Sequence, residues 1–297
     1  MKKIFVVGSL NMDLVIRVAK MPRAGETITG EGFMTNPGGK GANQAAAVSK
    51  LGGNAYMVGC VGREFGDELI RTLAGYGVNT DYVKKLDDVS SGIAVITVEN
   101  GDNRIILDRA ANGRIDRELI DNALSVANEG DYLMLQLEIS LDMVEYALEK
   151  GKEKGMITML NPAPAAELPQ KIFGLCDYFT PNQSEAEFYT GVYPSDERSA
   201  KKCAEILAKK GVKNLVVTMG SEGSASVSGG VFRKVAANKV KAVDTTAAGD
   251  TYVGALTVKL CEGAEIEEAM IFAGKASAIT VTRKGAQQAV PFRSEVE

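Results

Sequence analysis

The chain has 297 residues, 45% of them apolar and 24% charged, so it can bury a full core without disulfide or metal staples. Its net charge of −4, with no Lys/Arg block, argues against nucleic acid and anionic membranes as partners, and no apolar run is long enough to span a bilayer. It contains no histidine, which removes Ser-His-Asp and Cys-His nucleophile systems, histidine zinc sites and histidine general bases, and leaves acid–base chemistry to Asp, Glu, Lys, Tyr or Cys.

Ile4–Val7 reads as a first buried strand. It is too short for a signal peptide, and Asn11 and Asp13 follow it at once. Leu14–Val18 and Thr27–Met34 read as strands joined by a turn around Pro22 and Gly25. The cluster Asn36-Pro37-Gly38-Gly39-Lys40-Gly41-Ala42-Asn43-Gln44 then opens a helix, Ala42–Leu51, closed by Gly52-Gly53. Glycines around a lysine let backbone approach a ligand closely. This is not a P-loop, because Gly41 follows Lys40 where Ser or Thr is needed and the four-residue spacer is missing. Tyr56–Val58 is a strand and Asp67–Ala74 a helix. Ile93–Glu99 and Arg104–Asp108 flank Asn100-Gly101-Asp102-Asn103, a hairpin signal.

Arg117–Ala127 reads as a helix and Tyr132–Leu137 as a strand, with Glu138 at its end, an unusual place for an unneeded carboxylate. Asp142–Lys154 is a helix, and Met156–Leu160 and Tyr178–Thr180 are strands. Asn182 and Glu185 follow the last of these. They can face the strand's C-terminal edge as hard oxygen ligands for hydrated Mg²⁺, or belong to a helix start capped by Ser184. Ser199–Lys210 is a helix and Leu215–Thr218 a strand, followed by a glycine turn through Gly220 and Gly223. Asp244-Thr245-Thr246-Ala247-Ala248-Gly249-Asp250-Thr251 precedes the helix Thr251–Leu260. Small residues at a helix start leave main-chain N–H groups for an anion, although Asp250 alone also reads as an N-cap. Ile266–Val281 is the last helix. Cys60, Cys176, Cys203 and Cys261 are scattered with no C-x-x-C pair, which fits a reducing, cytoplasmic setting.

Strand–helix alternation predicts an α/β fold with a mostly parallel sheet covered on both faces. The two strand pairs without helices predict a small separate sheet, residues 14–35 and 92–108, inserted into a body of 1–13, 36–91 and 109–297.

Together these clusters resemble the ribokinase, or PfkB, family of carbohydrate kinases along essentially the whole chain. Gly38–Asn43 resembles the N-terminal signature of that family, and Asp244–Asp250 with Gly254 and Ala255 resembles its C-terminal signature. The resemblance implies a three-layer αβα sandwich with a β-sheet lid, and transfer of the ATP γ-phosphoryl group to the 5-hydroxymethyl group of a small sugar, ribose first. By that resemblance Asp250 is the base, and Ala247, Ala248 and Gly249 supply the anion hole. Asn11, Asp13, Gly39, Lys40, Asn43 and Glu138 correspond to sugar-binding positions. Asn182, Thr218, Gly220, Gly223, Gly249 and Gly274 fall on the nucleotide side, and Glu185 acts indirectly on Mg²⁺. Asp244, Thr246, Thr280, Arg283 and Gly285 would hold an activating K⁺, although Ala289 stands where the family commonly has a serine. The lid implies a homodimer.

Other acceptors within the family remain open: fructose, a nucleoside, 2-keto-3-deoxygluconate or a sugar phosphate. Arg17, Lys20, Arg23 and Arg104 in the lid could mimic the basic clamp that a phosphorylated acceptor needs. A non-catalytic sugar-binding regulator is a further alternative, disfavoured by the intact Asp250 cluster. A dehydrogenase is weaker still, for want of G-x-G-x-x-G after the first strand.

Overall fold

Strand and helix alternate as the apolar runs require. The computed structural model describes residues 1–100 and 102–297. β1 (Lys3–Val7) leads into β2 (Asn11–Arg17) and β3 (Glu31–Gly38), and then α1 (Lys40–Lys50). β4 (Asn54–Val61), α2 (Gly66–Gly75) and β5 (Asn79–Lys85) precede the hairpin β6 (Gly92–Glu99) and β7 (Asp102–Asp108). Next come α3 (Arg117–Leu124), β8 (Tyr132–Leu135), α4 (Leu141–Glu153), β9 (Ile157–Leu160), α5 (Gln170–Gly174), β10 (Tyr178–Phe179) and α6 (Gln183–Thr190). The chain continues through α7 (Glu197–Lys210), β11 (Asn214–Thr218), β12 (Ser224–Ser228) and β13 (Val231–Val235). It ends with α8 (Ala248–Cys261), α9 (Ile266–Thr280) and α10 (Arg293–Val296).

The large sheet has nine strands in the order β13-β12-β11-β10-β9-β8-β1-β4-β5. Its strands run parallel from β11 to β5, and only β12 is reversed, antiparallel to both β11 and β13. Two apolar clusters cover its faces. One joins Phe5, Val7 and Leu133 to α3, α4 and α7, and the other joins Ile4, Val6 and Met57 to α1, α2, α8 and α9. This is the α/β sandwich that the alternation predicts.

α8 is buried along almost its whole length, packed between α1 and α9. Gly254 permits the close crossing with α1, since a Cβ there would lie 2.7 Å from the Ala47 Cβ and 3.1 Å from the Gln44 carbonyl. That contact brings the first turn of α8 against the start of α1.

The small sheet has the order β3-β2-β6-β7. β3 starts at Glu31, not at Thr27, because β2 ends at Arg17, the partner of Glu31, and nothing remains for earlier residues to pair with. β3 then runs on to Gly38, so the sheet leads directly into the glycine–lysine cluster. Glu99 pairs with Asp102 across the hairpin, with Asn100 at φ 52°; Gly101 lies outside the described residues. β5 and the β12–β13 hairpin were not expected. β12 is Ser-Ala-Ser-Val-Ser, a run too poor in large apolar residues to read as a strand.

Candidate active site

Glu138, just beyond β8, collects three donors on one oxygen. Its Oε2 accepts from Ser9 Oγ at 2.5 Å, Asn11 Nδ2 at 3.3 Å and the Lys40 main-chain N–H at 3.1 Å. Gly39 makes this approach possible. At φ 90° it turns the chain into α1, and a Cβ there would meet the Asn11 nitrogen at 2.7 Å. Asn11 is itself oriented by Asn112, whose Nδ2 donates to Asn11 Oδ1 at 2.7 Å, which leaves the Asn11 amide nitrogen to face Glu138.

Asp250 lies in the first turn of α8 and is 7% exposed. Its Oδ2 accepts from Asn43 Nδ2 at 3.0 Å and its Oδ1 from Gln44 Nε2 at 3.1 Å. The two signature clusters therefore meet at one carboxylate. Among the described residues Asp250 makes no ion pair, so its remaining lone pairs can accept a proton or a hydroxyl hydrogen bond. Among the described residues Asn43 Oδ1 is buried without a hydrogen-bond partner.

Ala247 caps α8 in the left-handed region at φ 58°, where a non-glycine residue costs about 1–3 kcal/mol and is often found at functional sites. The Ala248 N–H reaches the Thr245 carbonyl at 3.2 Å, so it is already engaged in a turn rather than free.

Asp13, Lys40, Glu138, Glu185 and Asp250 form one electrostatic cluster. Burial, followed by Glu138 and Asp250, pushes the Asp13 carboxyl up to about 7. Burial works against the Lys40 charge, yet Asp250, Glu138 and Glu185 together hold its pKa above the ordinary lysine value. Burial also raises Glu185, opposed by the Asn182 N–H and by Lys40, while Asp250 adds to the rise. Asp13 opens onto a cleft of about 510 Å³ between the inner face of the small sheet, the Asp244–Thr246 loop and the Lys284–Gln288 segment.

Asn182, not Ser184, caps α6. Its side chain accepts from the Glu185 N–H at 2.8 Å, and the Glu185 carboxylate accepts from the Asn182 N–H at 2.8 Å. Cap and carboxylate thus fix each other at the C-terminal edge of the sheet, and Asn182 bridges to Thr218 there. Gly220 and Gly223 form the turn after β11, with φ of 54° and 102°. Gly274 on α9 sits near Asn238. Asp244 accepts from the Thr246 N–H at 2.9 Å, Thr246 Oγ1 at 2.6 Å and the Gly285 N–H at 2.9 Å. Burial opposes its charge, but these donors hold its carboxyl below the ordinary value. Thr280 and Arg283 are joined by the Arg283 N–H to the Thr280 carbonyl at 3.0 Å, and the main chain at Asp244 bonds Val281 on the same segment.

The sequence model described as "pfkB family carbohydrate kinase" matches residues 1–293. The chain belongs to the pfkB family of carbohydrate kinases. It is 42% identical to a ribokinase of Schizosaccharomyces pombe over 100% of its length and 97% of that protein's. It is 38% identical to a deoxyribokinase of Salmonella typhi over 97% of its length and 95% of the relative's. The structure of Arabidopsis thaliana ribokinase complexed with ribose and ATP superposes with a TM-score of 0.92 at 31% identity, covering 99% of this chain and 97% of that one. Members of this family transfer a phosphoryl group from ATP, and the fold is that of the ribokinases. No helix of the described residues is long and apolar enough to cross a membrane.

The pfkB signatures led to Asn43 and Asp250 but not to the polar groups that hold them. Gln44 stood in the first cluster without a role, and Gln136 and Asn161 beside it, with Ser9 and Asn112 around Glu138 and Asn11, were missed, although all five are at most 8% exposed. Gln136 interrupts the apolar strand Tyr132–Leu137, and Asn161 ends another. A lone amide in such a run was the available signal, because a buried polar group needs a partner.

Proposed function

We propose that this pfkB-family kinase phosphorylates D-ribose at the 5-hydroxymethyl group with ATP. The reading rests above all on the Asp250 carboxylate, held by Asn43 and Gln44 so that both signatures converge at a helix N-terminus. In this reading the sugar lies among Asn11, Asp13, Gly39, Lys40, Asn43 and Glu138. Asp250 accepts the hydroxyl proton as the oxygen bonds to the γ-phosphorus, and the bond from that phosphorus to the β,γ-bridging oxygen breaks so that ADP leaves. The Ala247 and Gly249 N–H groups, and Ala248 by exchange from Thr245, receive the developing charge. Lys40 adds a cation beside the transferring group.

Asn182, Thr218, Gly220, Gly223 and Gly274 line the nucleotide side. No three acidic, histidine or cysteine side chains converge on a metal-binding point among the described residues, and Glu185, held by its capping box with Asn182, is the carboxylate of the cluster on the nucleotide side. That donor set fits Mg²⁺ carried by ATP, which keeps its waters and phosphate oxygens and needs only an outer protein carboxylate. The ion would neutralise charge on the phosphates. Asp244 lacks an ion-pair partner among the described residues, which suits a K⁺ ion held with the carbonyls of Thr246, Thr280, Arg283 and Gly285. Phe33, Val95 and Ile106, 65%, 41% and 73% exposed, share the outer face of the small sheet and favour a lid that pairs with a second copy.

Two of the lid cations are already paired, Lys20 with Glu26 at 2.5 Å and Arg104 with Glu99 at 3.2 Å, which favours a neutral sugar over a sugar phosphate. The likeness to deoxyribokinase supports one second reading, 2-deoxyribose as acceptor. Coupled ADP release over ribose, 2-deoxyribose, fructose, adenosine and fructose 6-phosphate tests both. Ribose should give the highest kcat/KM, and 2-deoxyribose should lose about 1–3 kcal/mol through the site groups left unpaired. A higher kcat/KM for any other acceptor refutes ribose. Asp250→Asn should lower kcat by about 10²-fold or more with KM for the sugar retained.

A further inference from the structure

Gln44 is completely buried and bridges four elements. Its Oε1 accepts from Gln136 Nε2 at 2.6 Å. The Asp250 carboxylate, which only accepts, fixes which end of the Gln44 amide is the donor. Gln44 Nε2 donates to Asn161 Oδ1 at 3.1 Å and to Asp250 Oδ1 at 3.1 Å. Asn161 is fixed in turn, since its Nδ2 donates to the Thr180 carbonyl at 2.8 Å. Both Gln44 hydrogens are therefore committed, one to an anchored amide and one to the carboxylate. The chain of amides runs from strand ends in the rigid sheet to one oxygen of Asp250, while Asn43 holds the other.

We infer that Gln44 is a positioning residue that sets the Asp250 carboxylate for proton acceptance, an inference that rests on Asp250 being the base. A bond from Gln44 favours the charged carboxylate, which is the form that accepts a proton. It also stops rotation about the Asp250 side chain, so the free lone pairs face the cleft. Gln44 touches no substrate in this arrangement and acts only through Asp250. The charged or titratable groups facing Asp250 are Asp13 on β2, Lys40 on α1, Glu138 after β8 and Glu185 on α6. A neutral replacement at Gln44 leaves all of them in place.

The test measures kcat, sugar KM and the pH dependence of kcat/KM for Gln44→Leu, Gln44→Glu, Asp250→Asn and Q44L/D250N. Q44L should lower kcat about ten- to a hundredfold, the loss of a hydrogen bond to a charged group, with sugar KM changed less than about threefold. Its acid limb should move to higher pH. A purely structural role would lower the melting temperature without moving that limb. Q44E keeps the side-chain size and the acceptor for Gln136, so it serves if Q44L does not fold. It puts a second carboxyl beside Asp250, and its acid limb should also rise. In the D250N background, Q44L should cost less than about twofold more, because its route to the reaction is already gone. A folded Q44L or Q44E with wild-type kcat and an unmoved acid limb overturns the inference while leaving Asp250 as base. Near-normal turnover in D250N overturns the base itself.

Discussion

Asp13 offers a test in which stability and function respond in opposite directions. It is 8% exposed and has no ion pair among the described residues. Burial and the nearby Glu138 and Asp250 raise its carboxyl from 3.8 to about 7. The sign follows from which state holds the proton. Between these two values the unfolded chain has lost the proton and the folded chain keeps it. The folded state is therefore favoured by low pH, and that advantage disappears as pH rises towards 7. At about 1.4 kcal/mol per pH unit, the interval from 3.8 to about 7 corresponds to about 4 kcal/mol, an upper figure because neighbours relax. Asp13→Asn mimics the protonated form at every pH. Its stability advantage over the wild type should grow by about 1.4 kcal/mol per pH unit from pH 4.5 and level off near pH 7. Any packing offset of the substitution is the same at all pH values, so the slope isolates the charge. Urea unfolding of both proteins at pH 4.5, 5.5, 7 and 8 measures it. Sugar KM should rise in the same variant, because the amide replaces one of the two accepting oxygens of the carboxylate by an NH2 donor. A stability difference that stays constant from pH 4.5 to 8 refutes the raised carboxyl.

Three further outcomes follow from the geometry. Gly254→Val crowds the α1–α8 crossing, where even a Cβ meets Ala47 at 2.7 Å; urea unfolding should show a loss of about 1–3 kcal/mol with a parallel fall in kcat. Initial rates against KCl, at ionic strength fixed with an organic cation, should show activation, and Ala289→Ser should lower the half-activating concentration; a flat response refutes the Asp244 cation site. Ile106→Glu on the outer face of the small sheet should shift sedimentation from dimer to monomer at micromolar concentration, and a monomeric wild type refutes the lid interface.

The sheet was legible because Ile4–Val7, Tyr132–Leu135 and Leu215–Val217 are nearly continuous apolar runs, as strands buried on both faces must be. β12 was not, because its first serine is buried against α8, where Tyr252 donates its hydroxyl hydrogen to Ser224 Oγ at 2.7 Å. A small polar residue is a strand residue there only because a particular helix covers it. The same limit applies to the site. Asn43 and Asp250 sit in compact motifs, but the meaning of Gln44 depends on Asn161, a residue far away in sequence. Asn182 and Glu185 carried two readings, a helix cap and a site, and the structure contains the capping box with Glu185 facing Lys40. The two are compatible, since the cap is what holds the carboxylate at the sheet edge.

The charge balance of the cluster then needs an explanation. Four carboxylates and one lysine are a poor reception for a nucleotide that is itself an anion. The hydrogen bonds resolve much of this. Glu138 spends one oxygen on Ser9, Asn11 and the Lys40 N–H, so its charge holds the Ser9–Asn11 segment against the start of α1. Burial, with Glu138 and Asp250 nearby, raises the Asp13 carboxyl to about 7, so it carries less negative charge at neutral pH than an ordinary aspartate. Burial raises Glu185 as well, which favours a cation arriving beside it over an empty site. Asp250 is hydrogen-bonded by two neutral amides and makes no ion pair among the described residues, although it lies close enough to Lys40 to help hold that lysine charged. In the proposed reading a chain without histidine still offers a base, because amides and not arginine or lysine orient the Asp250 carboxylate.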